Sequence, residues 1–235
     1  MSRQPIATEY VDSALAGLHQ SGLMNVPDPS MPDQMRDQSR AAQNDWIPWQ
    51  AIDSTVSDDD VAELGSHFGG PLPEPYVAFL QYKHFYDLTE SCLRFEPHVV
   101  GRWKQRLIEK YDRLCDHLGC DAHLIPIGEE PFMDAWPVCL DFKHRLPNGD
   151  CPVVFWDHEW VGTDKEICPM FSSTAKMFEC LLYESESAIA FLYVNDDRDT
   201  PETLAVKRSM LSEFLKIDAE GAGGLARAYW LGRAV

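Results

Sequence analysis

The sequence predicts an α+β fold in which helices pack on a central, mainly antiparallel sheet. Three observations lead to this prediction. Apolar residues recur at helical spacing in the first half of the chain, alternate at a spacing of two between residues 124 and 156, and return to helical spacing after residue 173. This order of helices, then strands, then helices argues against a parallel doubly wound sheet, in which helices and strands alternate.

The length and composition are those of a globular protein. A chain of 235 residues, 45% of them hydrophobic, has enough apolar material for one large core. No apolar run approaches 18 residues, and the first residues lack the basic and continuously apolar regions of a signal peptide. We therefore expect a cytoplasmic protein. Its 7 cysteines show no CxxC spacing and are expected to be reduced thiols.

The charge is strongly acidic, with 20 basic and 38 acidic residues and a formal net charge of −18. Such a surface repels nucleic-acid phosphates and anionic lipids, so nucleic acid and membranes are not predicted partners. More than half of the excess lies in residues 127–199, which carry 5 basic and 15 acidic side chains. This distribution favours a basic protein as partner, although solubility alone also accounts for an acidic surface.

Residues 1–45 are predicted to form an N-terminal helix followed by a proline-rich strap. Thr8 is the expected N-cap and Gly22 the expected stop of an amphipathic helix. Residues 25–44 contain three prolines, few large apolar residues and no clear period, which is typical of a linker or an irregular strap. The main domain is expected to begin near Trp46.

The main domain, residues 46–199, opens with three predicted helices. Ser57 precedes three aspartates, a variant of the capping box that places acids favourably at a helix N-terminus. Pro75 suits the first turn of the second helix. The third helix, over 101–118, has an apolar stripe on one side. Its basic residues point elsewhere and form the one basic face of the chain: Arg102, Arg106, Lys110 and Arg113.

Strands are predicted after Gly119, where the apolar period changes from helical to alternating. Asn148 and Gly149 separate the second and third runs. This pair is typical of a type I′ hairpin turn, because both of its central residues need positive φ. We therefore expect the two flanking strands to pair antiparallel.

The last part of the chain is predicted to be helical. Ser172 or Ser173 is the expected cap of one helix. The apolar pattern predicts that this helix continues to Leu192. The C-terminal extension, residues 200–235, begins with a helix after Pro201 and is expected to pack on the main domain. Glycines break this helix before a short apolar tail.

Two clusters contain residue types that bind metals. One has four cysteine and histidine side chains within nine residues, but its spacing is unlike that of common zinc modules, and a helix end explains it better. The other resembles the magnesium-binding acid and Asp-x-Lys pattern of restriction-type nucleases, yet a nuclease at −18 would repel its own substrate. No metal is predicted. The two clusters are Cys115, His117, Cys120 and His123, and Asp134 with Asp141 and Lys143.

A catalytic function has no support in the sequence. Asp157, His158 and Glu159 could supply a general base and a carboxylate that orients it. Neighbouring residues on an extended strand point to opposite faces, however, so they cannot easily act together. A nucleophile elbow, a glycine-rich phosphate loop and a catalytic cysteine signature are all missing from the sequence. We predict that the protein is not an enzyme and uses no cofactor.

Four pieces of the sequence between Trp46 and Glu184 resemble the SUKH superfamily, also called the Smi/Knr-like proteins. They are Asp60–Gly65 with Leu72-Pro73 and Tyr76-Val77-Ala78-Phe79-Leu80; Ile125-Pro126-Ile127-Gly128; Val138-Cys139-Leu140-Asp141 with Pro152-Val153-Val154-Phe155-Trp156-Asp157-His158; and Phe171-Ser172 with Phe178, Leu181 and Leu182. The apolar residues of these motifs build a core, so the resemblance implies first of all a SUKH fold. The helix at 101–118 looks like an insertion relative to compact members.

The resemblance implies binding rather than catalysis, since many bacterial members look like immunity proteins that neutralise toxins of competing cells. The resulting hypothesis is a non-catalytic immunity protein that covers or distorts a cognate, basic toxin through an acidic surface. The alternative is a regulatory or scaffold module without a toxin, which uses the strap and the N-terminal helix to bind its partner. The candidate partner-binding residues are Glu129, Glu130, Asp134, Trp136, Asp157, Glu159, Trp160, Asp164 and Glu166.

Overall fold

The computed structural model describes residues 4–118, 123–131, 136–163, 166–187 and 201–232. The helices within these ranges are α1 Ile6–Gln20, α2 Asp58–His67, α3 Glu74–Leu80, α4 Trp103–Leu118, α5 Thr174–Ser187, α6 Pro201–Ile217 and α7 Arg227–Gly232. The strands are β1 Asn25–Val26, β2 Ile47–Pro48, β3 Ile52–Asp53, β4 Lys83–His84, β5 Arg94–Phe95, β6 Leu124–Glu129, β7 Pro137–Asp141, β8 Val153–Trp156 and β9 Ile167–Phe171.

The strands form one five-stranded sheet and two short ribbons. The sheet has the order β5-β6-β7-β8-β9, and every neighbouring pair is antiparallel. The ribbons pair β1 with β2 and β3 with β4, also antiparallel. Helices precede and follow the sheet in the chain, so the predicted α+β class with a mainly antiparallel sheet is confirmed.

One face of the sheet, here called the closed face, carries the large core. Leu140, Val153 and Phe155 alternate onto this face with neighbours that point the other way. Helices α1, α3 and α5 pack together over it. Their rings meet in one cluster, in which Phe79 lies 4.6 Å from Phe95 and 5.3 Å from Phe178 between ring centroids.

The opposite face of the sheet, here called the open face, carries a small and separate apolar cluster. It consists of four strand residues and one residue of α4: Leu124, Cys139, Val154, Trp156 and Leu114. Helix α4 lies mainly along β6. Beyond it, Ile167 and Pro169 pair with Trp156 and Val154 and are exposed. The open face is therefore only partly covered.

The N-terminal helix is docked on the closed side, where Ala7, Tyr10 and Val11 are fully buried. Its predicted cap is wrong. The helix begins at Ile6, and the Thr8 hydroxyl donates to the carbonyl of Pro5 at 2.8 Å from inside the first turn. The N-cap position is occupied by Pro5, whose ring restricts φ to the −58° seen here and which has no side-chain oxygen to cap the helix. The predicted stop at Gly22 is confirmed, since this residue follows the helix end with a φ of 68°.

The strap is ordered by its contacts with the start of α4. Burial raises the pKa of Asp28, but hydrogen bonds from Ser30, Arg102 and Tyr86 outweigh this effect and hold the pKa at about 2. The Arg102 guanidinium and the Tyr86 hydroxyl each donate to the Asp28 carboxylate at 2.9 Å. The strap is thereby fixed to the start of α4 by a charge-assisted network.

The end of the strap forms a hairpin turn that the sequence analysis missed. Asn44 and Asp45 have φ angles of 48° and 69°, and the backbones of Gln43 and Trp46 exchange hydrogen bonds at 2.9 and 3.0 Å. Two consecutive positive φ angles are the mark of a type I′ turn. Asparagine and aspartate are the residues that tolerate this conformation best after glycine.

The capping box at α2 is confirmed. The Ser57 hydroxyl accepts from the backbone N–H of Asp60 at 3.2 Å, and the Asp60 carboxylate accepts from the backbone N–H of Ser57 at 3.0 Å. Helix α3 begins at Glu74 with Pro75 in its first turn, as predicted.

The β7–β8 connection confirms the predicted antiparallel pairing but not the predicted turn. Only Gly149 has positive φ there, at 86°, and Asn148 does not. The backbone N–H of Gly149 donates to Leu146, and the N–H of Leu146 donates to Asp150. Pro147 therefore occupies the second position of a common four-residue turn, and Gly149 supplies the left-handed residue that follows it.

The C-terminal extension covers the end of the closed face near β9. Helix α6 is followed by a wide helical turn over Gly221–Leu225 and then by α7. The carboxylate of Asp218, 1% exposed, accepts from the backbone N–H groups of Ser172, Gly221 and Ala222 at 2.8 to 3.1 Å. This one buried carboxylate joins the extension to the end of β9.

The extension also reaches the edge strand of the sheet. The indole N–H of Trp230 donates to the carbonyl of Met170 at 2.8 Å, and its ring lies 5.1 Å from that of Phe171. The predicted continuation of α5 towards Leu192 falls outside the described residues. The proposed division into 1–45, 46–199 and 200–235 stays a prediction.

Candidate protein-binding surface

The open face and the loop between β8 and β9 contain three exposed apolar residues. Trp160, Val161 and Ile167 are 45%, 58% and 36% exposed. Glu159 is exposed beside Trp160. An exposed tryptophan next to a carboxylate is the type of surface on which protein partners dock.

Two carboxylates brace this loop from inside. Asp157 is buried and accepts from the backbone N–H of Glu159 at 2.9 Å. Glu166 accepts from the indole N–H of Trp156 at 3.0 Å and from the backbone N–H of Gly162 at 2.7 Å. Since these acids stabilise the loop, they hold Trp160 in place rather than supply free negative charge.

Two other predicted acids, Glu129 and Glu130, lie at the C-terminal end of β6. Glu130 is 2% exposed, and its backbone N–H donates to the carbonyl of Trp136 at 2.9 Å. Trp136 is 7% exposed and packs 4.9 Å from the Phe155 ring, so it belongs to the core. Glu129 is half-buried.

The predicted acidic surface is therefore not assembled by these residues. Glu130, Asp157 and Trp136 are buried, and Glu166 is occupied with the loop. Among the described members of the set, Glu159 and Trp160 are the two that are exposed. Asp134 and Asp164 lie outside the described residues. The role of the set in binding a partner stays a prediction.

A groove of about 560 Å³ runs between α4 and the open face. Its charged lining has four cations, Arg94, Arg106, Lys110 and Arg113, and two carboxylates, Glu96 and Glu129. Its apolar lining includes Phe95, Pro126, Pro137 and Trp156. The basic face of α4 was predicted from the sequence, but without a function.

Most of the opposite charges within the groove pair with one another. Glu129 lies 3.3 Å from Arg94 and 3.5 Å from Lys110 between charged atoms, and Lys110 also contacts Glu96. Arg106 and Arg113 are exposed. Neither has a carboxylate partner within the part of the chain that the structure describes.

The candidate catalytic clusters have structural roles where the structure describes them. The Asp141 carboxylate accepts from the backbone N–H of Lys143 at 3.0 Å and from His144 Nδ1 at 2.7 Å, and so caps a short 3₁₀ turn. His158 to Trp160 also form a 3₁₀ turn, so the expected extended strand is wrong at this point. Cys120 falls outside the described residues. Across the described ranges, no three His, Cys, Asp or Glu side chains form a metal-binding group.

The part of the chain that forms the sheet matches a known protein family. The model of the SMI1/KNR4 family (SUKH-1) matches residues 55–179, which is more than half of the chain. The chain belongs to the SMI1/KNR4 family. This SUKH match begins just before the capping box of α2 and ends within α5, so α1, the strap, α6 and α7 lie outside it. No curated protein matches the chain.

The matched segment of the SUKH chain contains the five-stranded sheet, the groove and the β8–β9 loop. Within the described residues, each helix is too short or too polar to cross a bilayer. The cytoplasmic location stays a prediction.

Proposed function

We propose that this SUKH-family chain is a non-catalytic immunity protein that binds a toxin and neutralises it by covering or distorting the toxin's active site. The β8–β9 loop carries this proposal. Its Trp160 is 45% exposed on a loop that Asp157 and Glu166 brace from inside. A rigid loop pays little conformational entropy on binding, and tryptophan is the side chain most enriched among residues that dominate binding energy.

The net charge supports a basic toxin as the partner. At −18, the molecule attracts a cationic protein over distances comparable to the Debye length. Glu159 adds local negative charge at the edge of Trp160. In this proposal the tryptophan supplies affinity, and the overall charge accelerates association.

The proposal is tested by co-expression with the product of the neighbouring gene, followed by titration of the purified pair. The Trp160→Ala variant is expected to weaken binding at least tenfold and to abolish protection of the cell. Its free energy of unfolding is expected to fall by roughly 1 kcal/mol, because the side chain is 45% exposed and the rest of it is buried.

Trp46→Ala is the matched control, since Trp46 is 51% exposed on the strap turn, away from the sheet. It is expected to leave binding unchanged. Raised salt is expected to slow association of the wild-type pair. A neighbouring product that is not toxic, or a Trp160→Ala variant that protects as well as the wild type, contradicts the proposal.

The scaffold alternative is favoured by a different observation. Trp46 and Leu23, 51% and 38% exposed, line a second depression of about 670 Å³ beside the strap turn. If the protein is a scaffold, Trp46→Ala abolishes partner binding and Trp160→Ala does not. This point variant is a cleaner test than deletion of residues 1–44, because that deletion also removes Tyr10 and its neighbours from the core.

A further inference from the structure

We propose that the groove under α4 is a second binding site, which takes an extended acidic segment of a partner protein. The occupant is a chain in the polyproline II conformation with two carboxylates three residues apart. The Arg106 and Arg113 guanidiniums bind the carboxylates, and the apolar wall of the groove receives the side chains between them. This site is distinct from the Trp160 surface and does not depend on whether the partner there is a toxin.

The charge of the groove is the first argument. Its four cations and two carboxylates give a net charge of +2 with His117 neutral, within a molecule whose net charge is −18. Glu96 and Glu129 are already paired with Lys110 and Arg94. Arg113 Nε donates to the backbone carbonyl of Glu109 at 3.2 Å, which leaves its two terminal nitrogens and the Arg106 guanidinium for an external anion. Arginine binds carboxylates in a bidentate geometry.

The spacing of the arginines is the second argument. Arg106 and Arg113 are seven residues apart on α4, which corresponds to roughly 10 Å along a helix axis. Polyproline II rises about 3.1 Å per residue and repeats every three residues, so carboxylates at positions i and i+3 share one side and lie roughly 9 Å apart. The two spacings match within the reach of an arginine side chain.

The opposite wall favours a peptide over a nucleic acid. Pro126, Pro137 and Trp156 offer an apolar surface on the sheet, of the kind on which proline-rich segments dock. Glu96 and Glu129 flank the same groove and would repel a continuous row of phosphates. Two isolated carboxylates carry less negative charge past these acids than a continuous row of phosphates does.

The test uses the full chain and a fluorescently labelled synthetic peptide, Ala-Pro-Glu-Ala-Pro-Glu-Pro-Ala, with its termini blocked. Binding is followed by fluorescence anisotropy at low salt, and the contacted residues are mapped by NMR. The peptide is expected to bind and to shift the signals of Arg106, Arg113 and Trp156. The Arg106→Ala/Arg113→Ala variant is expected to lose at least tenfold in affinity, and a peptide with both glutamates replaced by glutamine is expected to lose a similar factor.

The control variant, Lys176→Ala/Lys216→Ala, removes two positive charges far from the groove. Each of these lysines pairs with an acid three residues away on its own helix. This variant is expected to bind the peptide as the wild type does. Equal losses in the two double variants, no binding to the wild type, or tighter binding of a single-stranded oligonucleotide than of the peptide would overturn the proposal.

The outcome is separable from that of the toxin experiment. Trp160→Ala leaves the groove intact and is expected to bind the acidic peptide normally. The double arginine variant leaves the β8–β9 loop intact and serves as a protection control in the co-expression experiment.

Discussion

The two faces of the five-stranded sheet differ in what covers them. The closed face is covered by helices from both ends of the chain, and its aromatic rings lie 4.6 to 6.1 Å apart in one continuous cluster. Among the described residues, the open face is covered by α4, which contributes Leu114 to a cluster of five residues. This difference indicates that the closed face supplies most of the stability of the fold, and that the open face is the one with room for partners.

The large core buries two pairs of titratable groups, one of acids and one of bases. Beneath α1, on the closed side, Glu90 and Glu184 are 2% and 0% exposed. Beside the first turn of α4, His84 and His98 are 0% and 3% exposed, with their Nδ1 atoms 3.1 Å apart. Because an acid pair and a base pair respond to pH in opposite directions, the contributions of the two pairs to stability can be distinguished by titration.

The largest expected effect compares one buried side chain under each face of the sheet. Phe178→Ala removes a fully buried ring that contacts Tyr10, Phe79 and Phe95, and it is expected to lower the free energy of unfolding by about 3–5 kcal/mol. Leu114→Ala, in the small cluster under α4, is expected to cost roughly 2 kcal/mol, the low end for a buried leucine. Both values are measured by denaturant unfolding. A larger loss for Leu114→Ala would contradict the comparison.

The second effect is an acid-induced loss of stability from the histidine pair. Burial, with a smaller effect of His84, lowers the pKa of His98 from 6.5 to about 3. The unfolded chain therefore binds a proton that the folded chain does not. The histidine contribution to stability is complete above pH 6.5 and decreases towards pH 3, by up to about 1.4 kcal/mol per pH unit.

His98→Asn tests this effect, because the amide can still donate to the Lys83 carbonyl, which His98 Nδ1 contacts at 3.0 Å. Unfolding curves at pH 7 and pH 5 are compared for both proteins. The variant is expected to lose less stability than the wild type between these pH values. Parallel losses would show that other groups cause the acid sensitivity.

The smallest expected effect is the stability that the protein gains when one acid of the Glu90–Glu184 pair is replaced by an amide. Burial, together with the charge of Glu184, raises the pKa of Glu90 well above 4.5. The contribution of this group is complete below pH 4.5 and is lost as the pH rises towards the raised value. Glu90→Gln, measured by denaturant unfolding, is expected to stabilise the protein by about 1 kcal/mol at pH 8 and to have little effect at pH 4.5. Destabilisation at both pH values would contradict this sign.

The parts of the fold that follow from local chemistry could be predicted from the sequence. The capping box at Ser57 and the boundaries of α4 depend on residues within one or two turns of each other, and they are confirmed. The N-cap at Thr8 was predicted from residue type alone, and Pro5 replaces it. The turn at Asn44 and Asp45 was missed because its residues lie in a segment without an apolar period.

The candidate surface was predictable only in part. The sequence identified Trp160 and the basic face of α4, but an acidic residue in a loop has the same local pattern whether it faces solvent or braces the backbone. Glu166 illustrates this, because its partners, Trp156 and Gly162, are brought to it by the fold of the β8–β9 loop. The sequence therefore gives the number of acids, and tertiary contacts decide which of them are free.

The edge strand β9 limits how any partner can engage this sheet. Pro169 has no N–H to offer, and the carbonyl of Met170 is already bound by the indole of Trp230. An incoming polypeptide thus finds few backbone groups with which to extend the sheet by another strand. Selectivity for a partner at this edge must then be encoded in side chains, and the same blocked edge disfavours strand pairing between copies of the chain.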